Sequence, residues 1–350
     1  MKKIISVLLL SIVSLLAIAQ TYSGPESVEF DYARNRYLIS NTTSHQIIAY
    51  KNGVKTVFQT LTGTGPHGLE IVGDTLYCCN GGSIAAFNLN NGTPVFTKSL
   101  AASFLNGITH DTNGNLYITD FSAKKIYRMN TITRKFNVYV ANTATTPNGI
   151  IYDPYDGITP RLIFCNWNSN APIKKVKLAD STVSVLTTTA LSNCDGICKG
   201  KNGKFYVSSW GNQTIQRFDS TWTGGSTSVI TGRSNPADIV YNLNSDTLAV
   251  PNSSNNTVSF HYLGSPTSIN SVEQENSFQL YPNPSSGNFI IQSDKILLHK
   301  IEVYDAEMRK IILEENLNTH HYNLNLSATS SNVYFIRVND SKIQKVFIDK

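Results

Sequence analysis

Charge is scarce in this chain. Asp, Glu, Lys and Arg supply only 15% of its 350 residues, against 41% hydrophobic residues. A chain this apolar can build a core, which excludes a disordered polyelectrolyte. Polarity comes from Asn, Ser and Thr instead, which suits a β protein rich in turns. The net charge of +5 is spread out, with no Lys/Arg-rich run, so no nucleic-acid footprint is present. Long hydrophobic runs are missing too. The apolar stretch from Ile4 to Leu16 is too short to favour a membrane anchor. It follows Lys2 and Lys3 and precedes Ala17-Ile18-Ala19, which predicts an export signal over residues 1–19 and no transmembrane segment once it is removed. No cysteine follows the cleavage site to carry a lipid. The five cysteines leave at least one unpaired. Cys194 and Cys198 fall on one expected strand, roughly 13 Å apart, beyond disulfide reach. Cys78 and Cys79 are adjacent and point to opposite faces. No metal-type spacing occurs, so the cysteines read as small buried apolar residues.

What the sequence does contain is a repeat. Pro66-His67-Gly68-Leu69, Leu105-Asn106-Gly107-Ile108, Pro147-Asn148-Gly149-Ile150 and Cys194-Asp195-Gly196-Ile197 are copies of one strand head. Aligning them places Glu26, His67, Asn106, Asn148, Asp195 and Ala237 in equivalent positions, about forty residues apart. The longest step holds a turn-rich insertion, Tyr155 to Pro160. Short strands at that period are the signature of propeller blades. In the third unit Gly107 to Asp111 is followed by a turn at Thr112-Asn113-Gly114-Asn115, then by Leu116 to Thr119, Lys125 to Met129 and Phe136 to Val140. Asn-Gly turns and alternating polarity are hairpin signals.

The expected fold is therefore all-β: a six-bladed β-propeller over residues 20–264, a linker over 265–276 and a small β-sandwich over 277–350. Ring closure is the open point, because the sixth unit offers three clear strands. A fourth would come from the residues before Gly24 or from around Thr267, or be absent.

After Gly264 the repeat stops. Leu280-Tyr281-Pro282-Asn283-Pro284-Ser285-Ser286-Gly287-Asn288-Phe289, then Val303-Tyr304-Asp305, Val333-Tyr334-Phe335 and Lys345-Val346-Phe347-Ile348, resemble the C-terminal sorting domain of the type IX secretion system. The resemblance implies a Gram-negative cell, passage across the outer membrane with that machinery as partner, and a product released or held at the cell surface, with the tail usually removed.

Inner propeller strands start at the central channel, so Glu26, Asn106, Asn148 and Asp195 are expected around one point. Two carboxylates and two amide carbonyls are hard oxygen ligands, suited to Ca²⁺. Zn²⁺ suits the set less, because only His67 offers nitrogen. The arrangement resembles the superfamily of senescence marker protein, gluconolactonase and paraoxonase, in which a first-blade Glu, middle-blade Asn residues and a later Asp hold a catalytic divalent metal. Gly24-Pro25-Glu26 and the three heads at Asn106, Asn148 and Asp195 match that pattern, and His67 resembles a channel His of the paraoxonases. The resemblance implies hydrolysis of a lactone or ester, with Asp195 or His67 as general base or Asp195 as nucleophile; a monomer is expected.

Two departures turn the expectation away from sugar lactones. Phe104 stands where gluconolactonase-like members usually carry a polyol-gripping Arg. The sixth head is Ala237, and Asp238, one place out of register, is expected to point away from the axis. Phe104, Trp167 and Trp210 read either as part of an apolar channel mouth or as packing between blades. A competing explanation treats Asn-Gly and Asp-Gly simply as turn dipeptides. The protein would then be a non-catalytic binding propeller, similar to the NHL-repeat kind, recognising a peptide, glycan or surface partner.

Overall fold

The computed structural model describes residues 21–154, 159–264, 278–294, 296–305, 309–327, 333–339 and 343–349. The expected export signal at 1–19, the expected linker at 265–276 and Thr267 lie outside the described residues, as do four residues of the turn-rich insertion, 155–158. The chain divides after Gly264 into two compact units.

In the first unit, alternating polarity and turn chemistry give antiparallel sheets whose strands follow one another in chain order. Five have four strands and one has three, among the described residues. The first sheet runs through Pro25–Asp31, Arg36–Asn41, Gln46–Lys51 and Val54–Thr60. The other first strands are Leu69–Val72, Leu105–His110, Pro147–Asp153, Cys194–Lys199 and Val240–Asn242. First and second strands are nearly continuous buried runs, as in Leu105–His110 and Asn115–Asp120, whereas the fourth strand Phe136–Val140 is mostly exposed. That gradient is the mark of a radial stack, with the first strand innermost.

The core is not one mass but a series of seams between consecutive sheets. Leu38 and Ile47 of the first sheet pack with Leu69 and Leu76 of the second. Tyr117 and Ile126 of the third pack with Ile150 and Leu162 of the fourth. The seam that closes the ring joins Val28, Ile39 and Ile48 to Ala249 of the sixth sheet. Closure uses no shared strand among the described residues. Instead the Asp238 N–H donates to the Glu26 carbonyl at 2.8 Å, and the Gly24 N–H donates to the Asn256 side chain at 2.7 Å. All five cysteines are buried and free.

The second unit has two antiparallel sheets, one of three strands and one of four. They enclose a core of Phe289, Ile291, Val303, Leu324, Tyr334, Ile336 and Val346, which makes a small β-sandwich.

Candidate functional site at the channel mouth

In the heads at Asn106, Asn148 and Asp195 the glycines lie inside strands rather than in turns, and their role is proximity. A Cβ on Gly107 would meet the Asn148 carbonyl oxygen at 2.5 Å, and one on Gly149 would meet that of Asp195 at 2.5 Å. Neighbouring inner strands approach so closely that only hydrogen fits between them. The turn-dipeptide explanation therefore fails for these heads, while Gly114, with φ of 73°, is a true turn glycine.

The heads at Glu26, Asn106, Asn148 and Asp195 each carry a β-bulge. Pairing with the second strand slips between Pro25 and Val28, between Leu105 and Ile108, between Pro147 and Ile150, and between Cys194 and Ile197. A bulge bends its strand and re-aims a side chain. Here it turns Glu26, Asn106, Asn148 and Asp195 into one cavity of about 280 Å³.

A small residue on the second strand pins the bulge in the first, third, fourth and fifth sheets, with Ser40 Oγ accepting from the Ser27 N–H at 2.8 Å. Thr119 Oγ1 accepts from the Gly107 N–H at 2.8 Å and donates to the Asn148 carbonyl at 2.9 Å. Ser208 does the same between Gly196 and Ala237, at 2.7 Å on both sides. Cys165 Sγ donates to the Asp195 carbonyl at 3.0 Å. Sequence reasoning missed this row. Its signal is the column Ser40-Asn41, Cys79-Asn80, Thr119-Asp120, Cys165-Asn166 and Ser208-Ser209, which ends every second strand of the first five sheets.

All the predicted site residues line the same cavity: Glu26, His67, Asn106, Asn148 and Asp195. Asn148 and Asp195 are only 1% and 2% exposed. Three of their polar atoms, Asn148 Oδ1, Asp195 Oδ1 and His67 Nδ1, are buried without a hydrogen-bond partner. The Asn148 amide donates to the Cys194 carbonyl at 3.4 Å, which leaves its oxygen free to face the cavity. Orphaned buried acceptors are costly. Two carboxylates with no compensating charge add to that cost. Burial, then Asp238, pushes Glu26 up to about 7. Burial, then Glu26 and Asp238, holds Asp195 well above the carboxylate range, with Trp210 and Asn148 acting in the opposite direction. His67 is driven down to about 4 by burial and by His45, so it is neutral at pH 7.

Asp238 does not point away from the channel. It takes the place held by glycine in the neighbouring heads, accepts from the Ser27 hydroxyl at 2.8 Å and lines a second cavity of about 410 Å³ with Glu29, Glu70 and His110. The reason is the bulge row: at the closing seam Ser27 and Asp238 replace two glycines and face each other across it.

Phe104, Trp167 and Trp210 line the mouth, joined by Phe121. Phe104 packs edge-on to His67, with ring centroids 4.7 Å apart. The charge and donor set of the cavity, two carboxylates and two amides, suits a hard divalent cation. Among the described residues no cluster of three or more His, Cys, Asp or Glu side chains could hold a metal ion, so a cation here would depend on the two amide oxygens as well as the carboxylates. No helix among the described residues is long and apolar enough to cross a membrane.

Comparison with known proteins agrees with this architecture. Residues 279–349 match the family described as the secretion system C-terminal sorting domain. No curated protein sequence matches the chain. Among solved structures, a structural genomics protein of unknown function from Bacteroides thetaiotaomicron is similar at 12% identity and a TM-score of 0.57, over 69% of each chain. A calcium-binding protein, regucalcin, from Agrobacterium tumefaciens is similar at 18% identity and a TM-score of 0.52, over 67% of this chain and 83% of that one. A chain of a nidogen/laminin complex is similar at 16% identity and a TM-score of 0.51, over 63% of this chain and 90% of that one. At such identities the likeness is one of fold. It joins a calcium-binding protein to a protein assembly, so function has to be argued from the site.

Proposed function

We propose that the protein is a secreted or surface-held propeller that binds a divalent cation, Ca²⁺ by its ligand chemistry, through Glu26, Asn106, Asn148 and Asp195, and hydrolyses an apolar lactone or ester beside it. The observation that carries this reading is the pair of unpartnered buried oxygens, Asn148 Oδ1 and Asp195 Oδ1, in a cavity shared with a second carboxylate. The tail match at 279–349 supports export by a sorting pathway.

When bound, such a cation supplies Lewis-acid polarisation of the substrate carbonyl and stabilises the developing oxyanion. The remaining steps fall to side chains. The water oxygen attacks the carbonyl carbon while a base accepts its proton. His67 suits that role because burial keeps it neutral and its Nδ1 has no partner; Asp195, which a bound cation would help to ionise, is the other candidate base. The C–O bond of the ester then breaks, and the proton returns to the departing alkoxide. The buried, bulge-fixed strand heads hold these groups in place without reorganisation.

Metal analysis of the purified protein, with and without Asn148→Ala, tests the reading. We expect one Ca²⁺ per chain in the wild type and its loss in the variant, followed by turnover in a panel of lactones and aryl esters. No ion in the wild type would sink the hydrolase and leave a binding propeller. A loaded protein inactive across the panel would make the ion structural.

A further inference from the structure

The cavity mouth has two unlike halves. The residue that follows each second strand forms a ring of equivalent positions: Thr42, Gly81, Phe121, Trp167, Trp210 and Ser253. On the third, fourth and fifth sheets that residue is aromatic; on the sixth, first and second it is small. Phe104 extends the aromatic half toward His67. The rings touch in one unbroken edge-to-face series. Phe104 meets Phe121 at 5.6 Å, Phe121 meets Trp167 at 6.0 Å and Trp167 meets Trp210 at 5.1 Å, with interplanar angles of 80°, 61° and 70°. None of the four is fully buried, so each keeps part of its ring toward the mouth. Between them and the opposite wall of Thr42 and Ser253 lies the cavity of about 280 Å³. Tilted rings in series present alternating faces and edges, the arrangement in which a flat π system gains most from contact. A polyol would find few side-chain donors or acceptors along this arc.

We propose that the arc of Phe104, Phe121, Trp167 and Trp210 is a recognition wall for a small planar aromatic group, so that these four side chains set the specificity of the site. The wall seats the ring with its carbonyl toward Asn148 and Asp195, and the small half of the ring leaves the path of entry. This deepens the hydrolase reading and rests on it for the reaction, though not for the binding.

The test is binding of 2-naphthamide, a neutral aromatic probe that lacks an ester, to the full chain. The readout is tryptophan fluorescence, with calcium and with EDTA. Trp167 and Trp210 report on the wall, while Trp222, packed between Phe205 and Phe218, serves as the internal reference. We expect saturable quenching by 2-naphthamide and none by glucitol. Binding weakens about tenfold in the double variant Phe121→Leu/Trp167→Leu, whereas Trp167→Phe, which restores a ring, binds nearly as well as the wild type. Equal binding by the double variant, or glucitol bound as tightly as the amide, overturns the proposal. Arc-dependent binding in a protein that holds no ion sustains the wall and sinks the ion reading. A stoichiometric ion with arc-independent binding does the reverse.

Discussion

At the scale of single residues the site is defined by what its polar atoms lack. Asn148 Oδ1 and Asp195 Oδ1 are buried acceptors without donors, and Glu26 is a carboxyl kept near neutrality by burial and by Asp238. The pH consequence follows from the direction of that shift. A carboxyl whose folded-state value is raised, here from 4.5 to about 7, favours folding below the unfolded value and loses that advantage as pH rises through the folded one. In EDTA, Glu26→Gln should therefore gain stability relative to the wild type between pH 4.5 and 8. The gain should be roughly 3 kcal/mol at most, read from urea midpoints at several pH values. With Ca²⁺ present the order should invert at pH 8, because the ionised carboxylate then has its counter-charge. A difference that stays flat with pH would show that Glu26 is not held in this environment.

At the scale of the element, the decisive device is the bulged inner strand with its glycine. The glycine lets neighbouring strands touch, the bulge aims the preceding side chain inward, and a Ser, Thr or Cys on the second strand pins both. Gly149→Ala would drive a Cβ to 2.5 Å from the Asp195 carbonyl and 2.9 Å from Gly196 Cα, contacts that backbone must yield to relieve. We expect a loss of roughly 2–3 kcal/mol and weaker ion binding, since the displaced strand is the one that carries Asp195. Gly224→Ala, whose Cβ would meet only the Asp219 side chain at 3.5 Å, is the control and should change stability by less than about 0.5 kcal/mol. Thermal melts and calcium titrations of the two variants decide it. Equal behaviour would mean that the inner strands are not locked as described. The same geometry explains why Cys165 can stand where Thr119 and Ser208 stand: all three donate to the carbonyl at the head of the next sheet.

At the scale of the whole molecule, the chain has two compact units, each with its own core. Among the described residues the core clusters of the first unit end at Leu263, and the core of the second unit begins at Phe278. A chain truncated after Gly264 should thus fold and melt in one transition within about 2 °C of the propeller transition of the full chain. Calorimetry of both forms checks this, and an unfolded truncated chain would show that the tail is needed for folding. If the match of residues 279–349 to a sorting domain reflects its task, the same truncation leaves the product inside the cell envelope, as fractionation would show.

The sequence by itself determined the repeat, its period, the break after Gly264 and the register that sets Glu26, Asn106, Asn148 and Asp195 in one row. These are local features: turn residues, alternation and equal spacing persist in the chain whether or not it is folded. It also contained the column from Ser40 to Ser208, unread, and the ring from Thr42 to Ser253, read only at Trp167 and Trp210, because a small polar residue or an aromatic at a strand end has no local signature of its own. Only the tertiary structure decided that the glycines are contact points rather than turns, that Asp238 faces the channel, and that four aromatic residues from separate loops form one wall. Each of those depends on how near one strand comes to the next. That distance is set by closing the ring, and no stretch of sequence encodes it alone.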